Sequence, residues 1–170
     1  MSDLADPRQD EVDAFWVDAR MRANLNRLAA YWGPKEIDSL QPPAMAFGGS
    51  AEVADELAAL VVAGVKTATA GALWDYEAAG EEVPERGQLS IVVDGSGHPR
   101  ALIATTSVEV VPFDQVGEEF AAAEGEGDRS LASWRRDHEA FFRTYAAHSR
   151  GFSPDMPVVC QRFEVLFPTH

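Results

Sequence analysis

Val12, Phe15, Trp16 and Ala19 recur every three or four residues, and Leu25, Leu28, Ala29 and Trp32 do the same. This is the spacing of a helix face turned toward a core. Asp6 followed by Pro7 predicts the start, a cap residue and then a proline in the first turn. The second set follows the first by thirteen residues, which at about 100° per residue swings its stripe away. A kinked helix or two short ones, breaking near Met21 to Asn24, is therefore expected. The Pro- and Gly-rich 33–49 stretch reads as a connection.

A second helix is predicted with Ser50 as its cap, Val53, Leu57, Leu60 and Val61 as its buried face, and Gly64 as its stop. "LWDYEAA" (73–79) reads as a short helix ended by Gly80. "QLSIVV" and "RALIATTSVEVV" flank "DGSGHP", whose Asp-Gly step signals a hairpin. An acidic helix from about Asp114 to Ala123 follows, then the loop "EGEGDR". A long helix capped by Ser130 carries Leu131, Trp134, His138, Phe141, Phe142 and Tyr145 as its apolar stripe. "VVCQRFEVLF" closes as a strand. Strands late in the chain, joined by a hairpin and a helical excursion, predict a small mixed or antiparallel sheet with helices around it. The pattern suits a compact β-barrel and an open α+β sheet equally.

Length changes little: 170 residues at 46% hydrophobic make one ordinary domain. Cys160 is the single cysteine, which excludes an internal disulfide and a thiolate metal cluster. The first residues carry no signal-peptide pattern, so the cytoplasm is the expected compartment. Residues 57–74 are broken by Lys66, Gly64 and Gly71 and do not read as a membrane span. The net charge of −14 opposes indiscriminate binding to a phosphate backbone. It is unevenly spread: residues 1–125 carry 22 acids against 8 bases, residues 126–170 carry 6 of each, and 129–150 has five arginines against two acids. A local cationic face and an ordinary solvated helix are both compatible with that.

Phosphate-loop, dinucleotide, zinc-protease and hydrolase-elbow motifs are missing, and His98, His138, His148 and His170 lack metal-ligand spacing. No metal and no cofactor are expected, and His138 reads first as a packed helix residue. Lys66 stands out: it is the only charge in "LAALVVAGVKTATAGALW" (57–74) and one of two lysines among fourteen basic residues. An amine in apolar surroundings loses solvation of its charged form and moves toward the range where it accepts a proton, which a guanidinium does not. On the residues alone Lys66 reads first as a cation at the C-terminal end of the preceding helix.

Gly64, Lys66 and Thr69 form G-x-K-x-x-T. With "ELAALVVAGVKTATAG", "VVPFDQVGEEFAAAEGEGDRSLASWRRDHEAFF" and "VVCQRFEVLF" in that order, the chain resembles the ASCH domain of the PUA-like superfamily over roughly residues 46–167. Residues 1–45 are similar to the N-terminal helices of longer bacterial members. The resemblance implies an α+β fold, a small partly open β-barrel with flanking helices and strands near 46–48, 65–70, 88–93, 101–111 and 158–166. It also implies a link to RNA or modified nucleosides. Some members hydrolyse the amide of acetylated cytidine, some have been described as ribonucleases, and many have no assigned activity.

Carried onto this chain, the amidohydrolase members imply Lys66 as base, Thr69 as nucleophile and Glu124 as proton shuttle, with Glu119 and Glu126 as neighbouring carboxylates. Many members carry arginine two residues after the threonine, where this chain has Gly71. Trp74, Tyr76 and Arg129 are the candidate substrate-binding residues, the two aromatics being suited to stacking on a base. Lys66, Thr69, Tyr76, Glu124 and Arg129 are expected to line one cleft, with Trp74 at or near its wall. In a regular strand positions 66 and 69 point to opposite faces, so joint action requires a turn or bulge. The expected partner is a nucleoside, a nucleotide or a short RNA, and no membrane; a ribonuclease and a non-catalytic RNA- or nucleotide-binding module are the alternatives. The sequence fixes no oligomeric state.

Overall fold

The computed structural model describes residues 4–23 and 41–168. Helix α1 spans Gln9–Arg22, followed by strand β1 (Ala44–Ala46), helix α2 (Ala51–Val62), strand β2 (Ala68–Ala72) and helix α3 (Leu73–Ala79). The hairpin strands β3 (Leu89–Val93) and β4 (Pro99–Pro112) come next, then α4 (Glu118–Glu124), α5 (Leu131–Thr144) and β5 (Pro157–Phe167). The strands make one mixed sheet in the order β1-β3-β4-β5-β2, parallel only between β1 and β3. β1 and β2 are thus the two edges, and the barrel is open between them. The fold is α+β, as expected.

β3 is buried at every position because both faces are covered, which is why its sequence runs apolar instead of alternating. Leu89, Ile91 and Val93 pack with Leu102, Ala104 and Leu166 beneath Val12, Trp16 and Ala19 of α1. Val92, Ala101, Ile103 and Phe163 face the other way, against Leu57, Ala58 and Val61 of α2. A third cluster joins Ala68 and Ala72 of β2 and Val158 and Cys160 of β5 to Phe120 of α4 and Trp134 and Phe142 of α5. The register between β4 and β5 shifts at Thr106, between the Thr105–Phe163 and Ser107–Arg162 pairs. An unpaired residue of this kind bends the strand and increases its twist, and it lets the fourteen-residue β4 serve both halves of the curled sheet.

Several boundaries differ from the expected ones for identifiable reasons. α1 begins at Gln9 with no side-chain cap, because the segment before it is held extended: Ala5 and Arg8 donate their amides to Gly95 and Gly97 of the hairpin turn. The helix ends at Arg22 and Ala23 is extended, close to the expected break; Asn24 and the Leu25–Trp32 stripe lie outside the described residues. α2 uses the Ser50 cap but buries Ala54, Leu57, Ala58 and Val61, leaving Val53 exposed, since small residues allow the closer approach to the sheet. The expected 114–123 helix is split into a 3-10 turn at Phe113–Gln115 and α4. Val116 is extended and Gly117 precedes α4 in an extended conformation. Tyr145 lies past the end of α5 and is exposed.

The hairpin turn docks on α2 through one close approach. A Cβ on Gly95 would stand 2.1 Å from the Ala51 carbonyl oxygen, while the Gly95 amide donates to Asp55 at 2.8 Å. Gly95→Ala is expected to destabilise the protein by about 1–3 kcal/mol, the scale of forced backbone displacement. Urea denaturation checks this, and an unchanged midpoint would show that the turn is not seated.

Candidate functional site

Lys66 emerges where α2 stops. Gly64 adopts a positive φ of 78°, and the amides of Val65 and Lys66 both return to the Leu60 carbonyl, closing the helix end in the usual left-handed manner. Two residues later β2 begins and pairs with β5 without a register break from Ala68–Arg162 to Ala72–Val158. The segment between is tied to the end of α4: the Thr67 amide and hydroxyl both donate to the Ala123 carbonyl, at 2.7 and 3.1 Å. The α4 terminus lies so close that a Cβ on Gly125 would sit 2.5 Å from the Val65 carbonyl oxygen and 3.0 Å from the Lys66 Cα. Gly125, at φ 73°, supplies both the left-handed turn and the space.

This approach buries Lys66 to 1% exposure beside Glu124, also 1% exposed. The ammonium donates to Glu124 Oε2 at 3.0 Å, to Glu126 Oε2 at 2.8 Å and to the Glu124 carbonyl at 3.4 Å, so its three hydrogens meet three oxygens. Glu124 Oε1 accepts from the Trp134 indole at 3.0 Å and lies 3.1 Å from His138 Nε2. The other His138 nitrogen, Nδ1, is 2.9 Å from the Trp134 carbonyl. Both ring nitrogens therefore face acceptors, the arrangement of an imidazolium. With His138 charged, two cations face the Glu124 carboxylate and the Glu126 carboxyl.

The charges shift one another. Burial alone would raise the Glu124 pKa, but Lys66 and His138 outweigh it and hold the carboxyl well below the usual range. Burial, reinforced by Glu124, pushes Glu126 up to about 7. Burial opposes the His138 charge, yet Glu124 prevails and raises its pKa. Glu124, Glu126 and His138 also offer three ligand atoms within 4.8 Å. The Lys66 ammonium already stands between the two carboxylates, so an amine takes the place a metal would fill.

An open cleft lies apart from this centre. A cleft of about 720 Å³ opens between the two sheet edges, lined by Met45 and Ala46 of β1 and by Thr69, Ala70, Gly71 and Ala72 of β2. Tyr76, Tyr145, Phe47 and Phe141 give it aromatic walls, and Ser90, Gln88 and Gln161 give it polar groups. The Gln161 amide is held by a 2.8 Å bond to the Thr105 hydroxyl. Among the described residues the charged ones in the lining are Asp75 and Glu81, with no Lys or Arg. Glycines shape the walls: a Cβ on Gly71 would stand 3.2 Å from the Tyr76 ring, and one on Gly49 would overlap the Tyr145 ring. At position 71, where many members carry arginine, the space holds Tyr76. Burial, then Glu81, raises the pKa of the Tyr76 hydroxyl.

The sequence-derived candidates thus divide into groups. Thr69 and Tyr76 line the cleft. Lys66 and Glu124 form the buried centre, and among the described residues neither lines the cleft. Phe47 links the two, for its ring lines the cleft and its centroid is 5.4 Å from the Lys66 ammonium. Trp74 faces a separate hollow with His148 and Arg150, whose guanidinium lies 5.0 Å from the Trp74 ring. Arg129 is exposed and donates to the Ala122 carbonyl at 3.0 Å. The arginines of 129–150 form no open cationic face: Arg135 bonds the Asp114 carbonyl, Arg136 and Arg143 pair with Asp137 and Glu139, and Arg150 lies 3.9 Å from Glu77.

Sequence reasoning named Glu126 only as a neighbour of Glu124, read His138 as a packed helix residue, and passed over Gln161 and Tyr145 as site residues. The Trp134–His138 pair was visible as an i, i+4 couple on an apolar stripe. Its rings stack at 4.2 Å, but the meeting with Glu124 is made by the tertiary fold. Cys160 is no candidate nucleophile, since burial followed by Glu124 pushes its thiol up to about 12.

A family model described as the ASCH domain matches residues 43–167. The chain is similar to the crystal structure of an ASCH domain from Lactobacillus crispatus JV V101, at 31% identity and a TM-score of 0.72, covering 88% of this chain and 94% of that one. It is likewise similar to the protein EF3133 from Enterococcus faecalis V583, at 39% identity and a TM-score of 0.75, covering 92% and 88%. No curated protein matches the chain. Among the described residues no helix is long and apolar enough to cross a membrane.

The pKa shifts fix how stability depends on pH. Glu126 and His138 are raised above 4.5 and 6.5, so the native state holds protons that the unfolded chain releases. The stability they add is complete below those values and is lost as pH rises through about 7 for Glu126 and through the raised pKa of His138. Glu124 is lowered from 4.5, so its contribution is present above that value and lost as pH falls. A higher Tm near pH 5.5 than at pH 8 is expected by calorimetry at constant ionic strength. Equal values would show that the centre does not hold these protons.

Proposed function

Because the chain belongs to the ASCH domain family, which is generally associated with RNA, we propose that it binds an uncharged modified nucleoside in the cleft and hydrolyses an amide on that nucleoside. The observation that carries this reading is the lining of the cleft. It has the volume of a small-molecule site, aromatic walls for a base, amide and hydroxyl groups for its edge and, among the described residues, two acids and no base. A phosphate would enter against Asp75, Glu81 and a net charge of −14, so a nucleoside fits better than an RNA strand. The edges of β1 and β2 that face the cleft pair with no other strand among the described residues and offer backbone groups to a planar ligand.

Thr69, on the cleft wall, is the nucleophile in this reading. Lys66, its ammonium first deprotonated, takes the hydroxyl proton as Thr69 attacks the amide carbonyl. Glu124 relays that proton to the amine that leaves as the C–N bond breaks, and water then hydrolyses the threonyl ester. The roles of Lys66 and Glu124 are those the family resemblance implies. Lys66 must then release an oxygen partner and Phe47 must yield, because the ammonium is saturated and Phe47 is its link to the cleft. That requirement favours a second reading, a non-catalytic nucleoside-binding module in which the Lys66 centre is structural.

Calorimetric titration and mass spectrometry with acetylated cytidine separate the outcomes. Expected are binding, at least tenfold weaker binding of the 5′-monophosphate, and conversion to cytidine and acetate that Thr69→Val slows by about 100-fold with affinity unchanged. Binding without turnover would select the binding module. Tighter binding of the monophosphate or of short RNA would overturn the cleft assignment.

A further inference from the structure

Within the buried centre the two glutamates differ in what they are free to do. Each Glu124 oxygen is engaged, Oε1 by the Trp134 indole and His138 and Oε2 by Lys66. Two of these partners are cations, and the side chain is 1% exposed. A proton placed on either oxygen would displace a donor and leave a buried cation less compensated, a change that costs several kcal/mol in comparable pairs. Glu126 is held by Lys66 at 2.8 Å and leaves 31% of its side chain open to solvent. It sits between Gly125 and Gly127, both at positive φ, outside the regular helix.

We propose that Glu126 is the carboxyl through which this centre exchanges a proton with solvent or a ligand, and that Glu124 is the positioning residue that holds Lys66, Trp134 and His138. The groups facing Glu126 are Lys66 from the end of α2, Glu124 from α4 and His138 from α5. Burial and the Glu124 carboxylate favour its protonated form, and Lys66 opposes it. The proton that the centre exchanges near neutral pH is therefore the one on Glu126, at its solvent edge. The assignment deepens the hydrolase reading by replacing the shuttle residue, and it holds equally for a protein that only binds.

Carbon-13 NMR of the glutamate side-chain carboxyls in the intact protein, from pH 4 to 9, tests it without a substrate. Its result is therefore separable from that of the nucleoside experiment. One carboxyl carbon is expected to titrate near 7 and to be the signal lost in Glu126→Gln, while the signal lost in Glu124→Gln does not move across the range. Backbone amide spectra identify which variants fold. If Glu124→Gln does not fold, the wild-type titration with Glu126→Gln alone decides. A Glu126 carbon titrating near 4.5, or a near-neutral step that survives in Glu126→Gln on a glutamate carbon, would overturn the proposal. For a substrate that is turned over, Glu126→Gln is expected to lower kcat at least tenfold, remove the limb of the pH profile near 7 and leave KM within about twofold.

Discussion

The buried ion pair between Lys66 and Glu124 is the contact on which the arrangement of the site depends. A charge removed from water costs several kcal/mol unless every donor and acceptor is met. Here each is met: three oxygens for the ammonium, and an indole, an imidazole and the ammonium for the Glu124 carboxylate. The geometry also accounts for the residue type. Three acceptors converging within one turn of loop suit a compact ammonium, whereas a planar guanidinium would need more room and a flat acceptor. The lysine's apolar sequence neighbours are not its spatial surroundings, and its partners arrive from nearly sixty residues away.

Through that contact two segments with few other ties become one unit. The α2 terminus and the approach to β2 are joined to the end of α4 by Lys66, by Thr67 on the Ala123 carbonyl and by the close passage of Gly125. β2 is an edge strand paired only with β5 in the described sheet, so its position relies on these ties as well as on its ladder. Its opposite edge faces β1 across the cleft. The buried centre therefore sets one wall of the cleft even where its side chains do not reach the lining, and Phe47 touches both.

The long periodic elements were legible in the sequence. Ser50 and Ser130 cap α2 and α5 as their positions suggested, and the Asp-Gly step marked the β3–β4 hairpin. Strand ends moved by up to three residues, because pairing partners and not local composition decide where a ladder stops. The parallel pairing of β1 with β3 left no local trace. In the site, Lys66 and Thr69 announced themselves by composition and motif. Their separation into a buried centre and a cleft wall arises because Lys66 lies in the loop before β2, where it meets the end of α4, while Thr69 lies within the strand. His138, and the contact of Glu126 with Lys66, were hidden for a different reason. A glutamate in an acidic loop and a histidine on an apolar stripe each have an ordinary local explanation, and only the packing of α4 on α5 brings them to Lys66.

The most direct test is a double-mutant cycle on the buried pair, measuring unfolding free energies of the wild type, Lys66→Met, Glu124→Gln and the double variant at pH 7. Each single change leaves a buried partner uncompensated, so each is expected to cost about 3–5 kcal/mol, while the double change costs less than their sum by at least about 2 kcal/mol. Additive effects within about 0.5 kcal/mol would contradict the account, because they would mean that Lys66 and Glu124 do not hold each other in place.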